Sequence, residues 1–404
     1  MASNIQEVFL QLVRLGIGCE AEASLPVSAP LSVEDWQALE ELANEHGLLG
    51  VMLDGVEKLP RELRPEKKAI IQSIGQLIQS EQQYAVQEHA ATEMALLLHQ
   101  HGIRTYVLKG AVVAECYPKP EHRRSVDMDC FLANENADVL ETCGTSEQAR
   151  ANDNEDVWER GNRVLEELGF EVRRDFYKNS TVVLPGLTVE NHRYLTPFRG
   201  NKRLKNLERF LQSMMFNDND NLNDNENGGG KEVWVSVNVK VESSSERRFE
   251  GTWLYRPPVM VSALFLIEHA YSHFLHEGLT WRHVLDWTMF SRWHREEIDW
   301  VAFDSLIDEY GFRKFYDSYS RLGRFFVGEL SAGCLQLADQ WMLEDIWAPL
   351  DVHETVTGLR GKLALAGNTW RARWKYRHFT DMTWLRALWI QAKGVLFKEE
   401  PKLE

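Results

Sequence analysis

The chain has 404 residues, of which 44% are hydrophobic and 26% are charged. This composition is typical of a globular protein with room for two or three domains. The formal charge of −16 and the pI near 5.4 argue against nonspecific binding to nucleic acid, which needs a basic surface, but allow a small nucleotide in a local pocket. Five scattered cysteines without a CxxC pair, no bilayer-length apolar run and no secretory signal pattern favour a cytoplasmic protein without a membrane partner.

The first hundred residues have a helical pattern. A capping box at Ser32 predicts the start of one helix with a single apolar face. A longer helix is predicted from near Pro65 to a stop at Gly102, and Gly75 leaves open whether it is one helix or two. We interpret residues 1–84 as a supporting helical region.

Two strand-like apolar runs follow, Thr105–Leu108 and Val126–Leu132. The second run carries Asp127 and Asp129, separated by one residue. Side chains two apart on a strand project from the same face, so both carboxylates should point to one place. Such closely spaced like charges are costly without a cation between them, and a divalent metal is the usual occupant.

The segment between the two strands supplies positive charge and accessible backbone. Lys109-Gly110 lies at a predicted strand-to-helix turn, where the helix start can receive phosphate. Arg123, four residues before Asp127, is a second candidate for phosphate binding. We therefore predict a nucleotide-binding role for Lys109, Gly110 and Arg123.

Further strands are predicted at Phe170–Phe176, Ser180–Leu184 and Leu187–Tyr194. In the last of these, Thr188, Glu190 and His192 share one face. Glu190 is thus a second carboxylate-bearing position, about 60 residues after the first.

Asp127, Asp129 and Glu190 on neighbouring strands would form a minimal cage for two Mg²⁺ ions, which prefer a few carboxylates and complete their shell with water and phosphate oxygens. Aspartate pairs on exposed strands are also common without any catalytic role. The Lys-Gly turn and the later glutamate favour the catalytic interpretation, because each has a distinct task in one mechanism.

Residues 217–230 are polar and of low complexity, which predicts a flexible loop; an EF-hand calcium loop is disfavoured because its ordered spacing is missing. Strict alternation over Lys231–Val241 predicts a half-buried strand. We predict an α+β fold, with a mixed-sheet core at residues 85–250 and a C-terminal helical domain at residues 251–404.

Two further pairs lie four apart on a predicted helix. His269 and His273 have a spacing that can bind zinc, but no HExxH motif occurs and structural or cleft-lining histidines are favoured. Arg282 and Asp286 have the spacing of a helix salt bridge.

The stretch LKGAVVAECYPKPEHRRSVDMDCFL resembles the signature of the uncharacterised nucleotidyltransferase family, within the polymerase-beta-like superfold. That signature is matched by Leu108, Lys109, Gly110, Tyr117, Arg123, Asp127 and Asp129. The family's later Glu-x-His strand is similar to Glu190-Asn191-His192, and its helical block is similar to HAYSHFLHEGLTWRHVLDW. The resemblance covers roughly residues 85–290.

The resemblance implies a nucleotidyltransferase-like core that uses two Mg²⁺ ions to transfer a nucleoside monophosphate from an NTP to an unknown small-molecule or protein hydroxyl. It also suggests that the cleft is lined by His192, His269, Arg282 and Asp286. One departure concerns the superfold's Gly-Ser phosphate contact, which is Gly110-Ala111 here and lacks the hydroxyl.

The alternative is a catalytically inactive descendant that binds a nucleotide or a partner on the same fold. The two hypotheses differ in whether the carboxyl groups of Asp127, Asp129 and Glu190 should converge.

Overall fold

The structure is a computed structural model. It describes residues 5–19, 30–135, 156–174, 177–216, 247–348 and 370–397. Within these ranges the chain forms one six-stranded mixed sheet with helices around it, so the predicted α+β fold is confirmed. The predicted loop at 217–230 and the predicted strand Lys231–Val241 lie outside the described residues.

The N-terminal part is helical, as predicted. Its helices are α1 (Ile5–Gly16), α2 (Val33–Glu45), α3 (Leu49–Lys58) and α4 (Lys67–Gln100). The Ser32 hydroxyl accepts a hydrogen bond from the Asp35 backbone N–H at 3.0 Å and so caps α2. Gly75 does not interrupt α4, which is one helix of 34 residues. Because α4 runs through residue 84, the division into 1–84 and 85–250 stays a prediction whose boundary falls inside a helix.

Five strands of the sheet come from the predicted core at residues 85–250, and the sixth comes from the region predicted as the C-terminal helical domain. Its strands are β1 (Ile103–Val107), β2 (Asp127–Asn134), β3 (Glu171–Arg173), β4 (Asn179–Leu184), β5 (Leu187–His192) and β6 (Leu254–Tyr255). Their order is β3-β4-β5-β2-β1-β6. β2 pairs with β5 in parallel and with β1 in antiparallel orientation. The two carboxylate-bearing strands are therefore direct neighbours at the centre of the sheet.

Central strands are apolar because helices cover them. Every residue of β1 is buried, and β2 is buried except at its two ends. α4 packs on β1, and helix α6 (Val157–Glu167) packs on β2. At Gly161 of α6 a Cβ atom would lie 2.2 Å from Cδ1 of Leu132, so the helix approaches β2 closely.

The remaining elements are helices on the same apolar core. They are α5 (Ala111–Ala114), α7 (Lys202–Phe216), α8 (Val259–His276), α9 (Trp281–Trp293), α10 (Trp300–Tyr310), α11 (Arg313–Phe326), α12 (Leu337–Trp347), α13 (Arg373–Phe379) and α14 (Trp384–Phe397). Aromatic contacts are frequent among them, and the rings of Trp281 and Phe326 stack at 4.5 Å between centroids. Of the predicted cleft-lining residues, His269 lies on α8, Arg282 and Asp286 lie on α9, and His192 lies on β5.

α1 and α3 pack so closely that glycine is needed at the contact. A Cβ atom on Gly55 would lie 1.9 Å from the Leu12 carbonyl oxygen, and one on Gly16 would lie 2.1 Å from that of Val51. Gly75 of α4 differs, because a Cβ there would have no neighbour within 4 Å. Helix packing explains the first two glycines and not the third.

We expect Gly55→Ala to lower the free energy of unfolding by about 1–3 kcal/mol, because the added methyl group forces α1 and α3 apart. The matched change Gly75→Ala should instead raise it by up to about 1 kcal/mol, since alanine is the better helix former. Urea denaturation of both variants measures the two effects. Equal effects of the two substitutions would contradict the close helix contact.

Candidate functional site

The parallel pairing of β2 and β5 brings the predicted carboxylates together. Asp129 lies opposite Glu190 in the register, and Asp127 lies opposite Thr188. Because alternate residues share a face, Asp127, Asp129, Glu190 and His192 project from the same side of the sheet. The two carboxylate-bearing strands predicted from the sequence therefore present these side chains in one region of the sheet.

Three of these side chains converge. The ligand atoms of Asp129, Glu190 and His192 all lie within 4.8 Å of one another. His192 Nε2 is 2.9 Å from Oδ1 of Asp129 and 3.7 Å from Oε2 of Glu190. Asp127, at the exposed start of β2, is not part of this group. It is the only one of the three predicted carboxylates outside the cluster among the described residues.

The electrostatics of the cluster favour a cation. Burial would raise the pKa of Asp129, but the hydrogen bond and charge of His192, with Lys109 and Lys178, hold that pKa well below its usual range. The pKa of Glu190 is raised by burial and by the negative charge of Asp129. A cation beside both groups would relieve this repulsion.

The proton between His192 and Asp129 can be assigned from these charges. An ionised carboxylate only accepts hydrogen bonds, so Nε2 of His192 donates to Asp129. This bond orients Asp129 and uses the histidine nitrogen that would otherwise face a metal. The two carboxylates are left as the oxygen ligands of the cluster.

Lys109 and Gly110 lie beside this face, at the turn from β1 to α5. Gly110 has φ +68° and ψ −106°, a conformation that side chains with a Cβ rarely adopt. Nζ of Lys109 is 2.7 Å from Nε2 of His269. Burial, followed by the charge of Lys109, holds the pKa of His269 well below its usual value, so His269 is neutral and accepts this hydrogen bond. The predicted residue His269 therefore positions Lys109.

Arg123 is not directed at the carboxylate cluster. Its Nε and Nη2 atoms donate to Oδ1 and Oδ2 of Asp286 at 2.8 and 2.7 Å, and both side chains are buried. The Tyr117 hydroxyl also donates to Asp286, at 2.8 Å. Arg282 donates instead to the Arg124 carbonyl at 2.7 Å. Arg123 and Arg282 therefore fasten the segment before β2 to α9.

His269 and His273, whose spacing could bind zinc, make other contacts in the structure. The rings of His269 and His273 are in contact at 4.5 Å, and Nδ1 of His273 is 2.9 Å from Oε2 of Glu277. Across the described residues, the cluster on β2 and β5 is the one group of histidine, cysteine or acidic side chains with metal-binding proximity. The interpretation of these histidines as structural or cleft-lining stays a prediction.

Two residues of the site were missed at the sequence level, Lys178 and Asn179. Asn179 Nδ2 donates to Oε2 of Glu190 at 2.9 Å, and the positive charge of Lys178 lowers the pKa values of Asp129 and Glu190. A signal was present in the sequence. The Pro-Gly turn before Leu187 marks a β-hairpin, and counting back from it pairs Asn179 with His192, as the structure does.

A central mixed sheet that presents acidic groups beside a Lys-Gly turn defines a nucleotidyltransferase-like domain. The model of a family described as "Uncharacterised nucleotidyltransferase" matches residues 32–219. This match confirms the family resemblance noted from the motifs as far as residue 219, and the similarity of the later helical block stays a prediction. Comparison with curated proteins and with solved structures gives no match. In the described part of the chain, every helix is too short or too polar to cross a membrane.

We expect Asp286→Asn to reduce the free energy of unfolding by about 3–5 kcal/mol, because it leaves the buried charge of Arg123 without its partner. Asp381→Asn is the control, since Asp381 pairs with Arg203 and Lys314 at the surface and should cost about 1 kcal/mol or less. Denaturant unfolding measures both.

The effect of Asp286→Asn should depend on pH. Burial alone would raise the pKa of Asp286, but the charge and hydrogen bond of Arg123 lower it below the usual value. The stability from this ion pair is therefore fully present above about pH 4 and is lost as pH falls through the lowered pKa. The difference from wild type should shrink with acidification. A difference that grows below pH 4 would contradict the assigned ion pair.

Proposed function

We propose that the protein is a metal-dependent nucleotidyltransferase that transfers a nucleoside monophosphate from an NTP to a hydroxyl acceptor. The observation that carries this proposal is the convergence of Asp129 and Glu190 on paired strands, beside the Lys109-Gly110 turn. The family match supports the same general chemistry.

The donor groups fit Mg²⁺. Asp129 and Glu190 offer carboxylate oxygens, which magnesium prefers, and Asp127 on the same strand face would be the third ligand for a pair of ions. The Nε2–H group of His192 donates a hydrogen bond to Asp129, so His192 is not needed as a metal ligand. When bound, such ions would neutralise phosphate charge and make the acceptor hydroxyl more acidic.

In the proposed reaction the acceptor oxygen forms a bond to the α-phosphorus of the NTP. The bond from that phosphorus to the oxygen bridging to the β-phosphate breaks, and pyrophosphate leaves. Glu190 lies in the cluster and is the candidate to accept the proton of the hydroxyl. Lys109 and Lys178 supply positive charge for the triphosphate. The ammonium of Lys178 has no hydrogen-bond or ion-pair partner among the described residues.

A second candidate is a catalytically inactive protein that binds a nucleotide or a partner on this fold. Two observations favour it. Arg123 is already paired with Asp286 and is not directed at a phosphate site. Ala111, at the start of α5, lacks the hydroxyl found in the wider superfold.

The proposal predicts that Asp129→Asn and Glu190→Gln each reduce Mg²⁺-dependent pyrophosphate release by at least about a hundredfold, because each removes a metal ligand worth several kcal/mol in the transition state. Pyrophosphate is measured with each of the four common NTPs, with Mg²⁺ or Mn²⁺. Glu171→Gln is the matched control, since Glu171 lies exposed on β3 away from the cluster.

Unchanged release in Asp129→Asn would show that the site is misassigned. Absence of release in the wild type, together with Mn²⁺ and NTP stabilisation that Asp129→Asn abolishes, would favour the inactive nucleotide-binding protein instead. Thermal shift measures this stabilisation, because a ligand of the folded state raises apparent stability.

Restoring the missing hydroxyl is a further test. Ala111→Ser should strengthen NTP binding by roughly threefold to tenfold, the value of one added hydrogen bond. Titration calorimetry with a non-hydrolysable NTP analogue measures the change. Ala85→Ser, on the exposed side of α4, is the control. Equal affinity in Ala111→Ser and wild type would place the triphosphate away from this turn.

A further inference from the structure

A second feature suited to a ligand lies at the segment that leads into β2. It is a cavity of about 480 Å³ between the N-terminal helices and the segment of residues 121–126 that leads into β2. One wall comes from α2 and α3, and another comes from the middle of α4. Its volume lies within the range of small-molecule sites in proteins.

The walls of the cavity are held in place by polar contacts of the buried side chain of His122. Nδ1 of His122 is 2.8 Å from Oδ2 of Asp54, and its Nε2 is 2.9 Å from Oε1 of Glu81. At Gly50 of α3 a Cβ atom would lie 2.8 Å from the His122 carbonyl oxygen, so the two walls meet without space for a side chain. These contacts fix residues 121–126 against α3 and α4.

The lining is rich in side-chain amides and hydroxyls. Asn44, Gln76, Gln79, Gln83 and Gln87 contribute amides, which each donate and accept. Among the described residues, Gln79, Ser80 and Tyr84 have no side-chain hydrogen-bond partner, which leaves them for a ligand. Burial raises the pKa of Tyr84 to about 12, so its phenol keeps its proton at neutral pH.

The cavity offers little net charge. Arg123 and His122 line it but are paired with Asp286, Asp54 and Glu81. Glu121 and Arg124 add one charge of each sign. This balance suits an uncharged ligand better than a triphosphate. Groups that both donate and accept are matched by a molecule with many hydroxyls.

Residues 121–126 line the cavity and lead directly into Asp127, the first residue of β2. The Ser125 carbonyl accepts from Nε2 of Gln87 on the cavity side at 3.4 Å. The Ser125 hydroxyl donates to the Asp127 carbonyl at 3.0 Å and lies 3.7 Å from the position of a Cβ on Gly110. A ligand in the cavity is thus adjacent to the turn that precedes Asp127.

We propose that this cavity is the acceptor site, and that the acceptor is an uncharged polyhydroxylated small molecule such as a sugar or a cyclitol. The proposal rests on the proposed function, since it names the class of hydroxyl that would receive the nucleoside monophosphate. Gln79, Ser80 and Tyr84 bind its hydroxyl groups, and one hydroxyl is presented past Ser125 to the carboxylate cluster.

Direct binding tests the cavity separately from turnover. The probes are glucose, galactose, mannose, N-acetylglucosamine and myo-inositol, compared with adenosine and uridine, by saturation-transfer NMR and titration calorimetry. We expect at least one polyol to bind and both nucleosides to bind more weakly. The double variant Gln79→Leu, Tyr84→Phe should lose at least about tenfold in affinity, the value of two hydrogen bonds.

Gln82→Leu is the control, since Gln82 lies exposed on α4 and does not line the cavity. It should bind the polyol like the wild type. Mn²⁺ should stabilise the double variant as it does the wild type, which verifies that the double variant is folded. Failure of every polyol to bind, binding unaffected by the double variant, or stronger nucleoside binding that the variant abolishes would each overturn the proposal.

The two proposals fail in different ways. If a polyol binds in the cavity and yet leaves pyrophosphate release undetectable with every NTP, the transferase reaction fails, and with it the acceptor role of the cavity. If release requires Asp129 but is insensitive to all five polyols and to the double variant, the reaction stands and the acceptor class is wrong.

Discussion

The parallel hydrogen bonding of β2 to β5 is the constraint on which the site depends. It sets Asp129 opposite Glu190, and the antiparallel pairing of β4 then brings Asn179 beside His192. A shift of one residue in either pairing would turn these side chains to the opposite face of the sheet. The apolar residues between them, such as Val189, would then lose their buried positions, so the core enforces the register.

The basic residues near the site differ in whether an acidic side chain neutralises them. Arg123 is satisfied by Asp286 and joins the core to the C-terminal helices. Lys109 is held by a neutral histidine, and its pKa is lowered mainly by burial. Lys178 has no such partner in the described ranges. Lys109 and Lys178 therefore supply positive charge near Asp129, while Arg123 has a structural task.

Local patterns predicted the parts of the site that depend on local geometry. Alternation along a strand was enough to find Asp129 and Glu190, and the glycine turn was visible as a break between strand and helix. The partner of Arg123 was not predictable in this way, because Asp286 is 163 residues away and a four-residue helix spacing suggested Arg282 instead. The cavity was not predictable either, since its walls come from separate segments whose contact leaves no periodic pattern in the sequence.

The ion pair of Arg123 with Asp286 has a consequence for the order of folding. The chain must extend 163 residues beyond Arg123 before the carboxylate that neutralises it exists. During synthesis at about 5–20 residues per second, the guanidinium of Arg123 therefore lacks its carboxylate partner for roughly 8–30 s. Burial of that charge is unfavourable until α9 arrives. The segment leading into β2 thus reaches its final anchored position only after the C-terminal helices have begun to form.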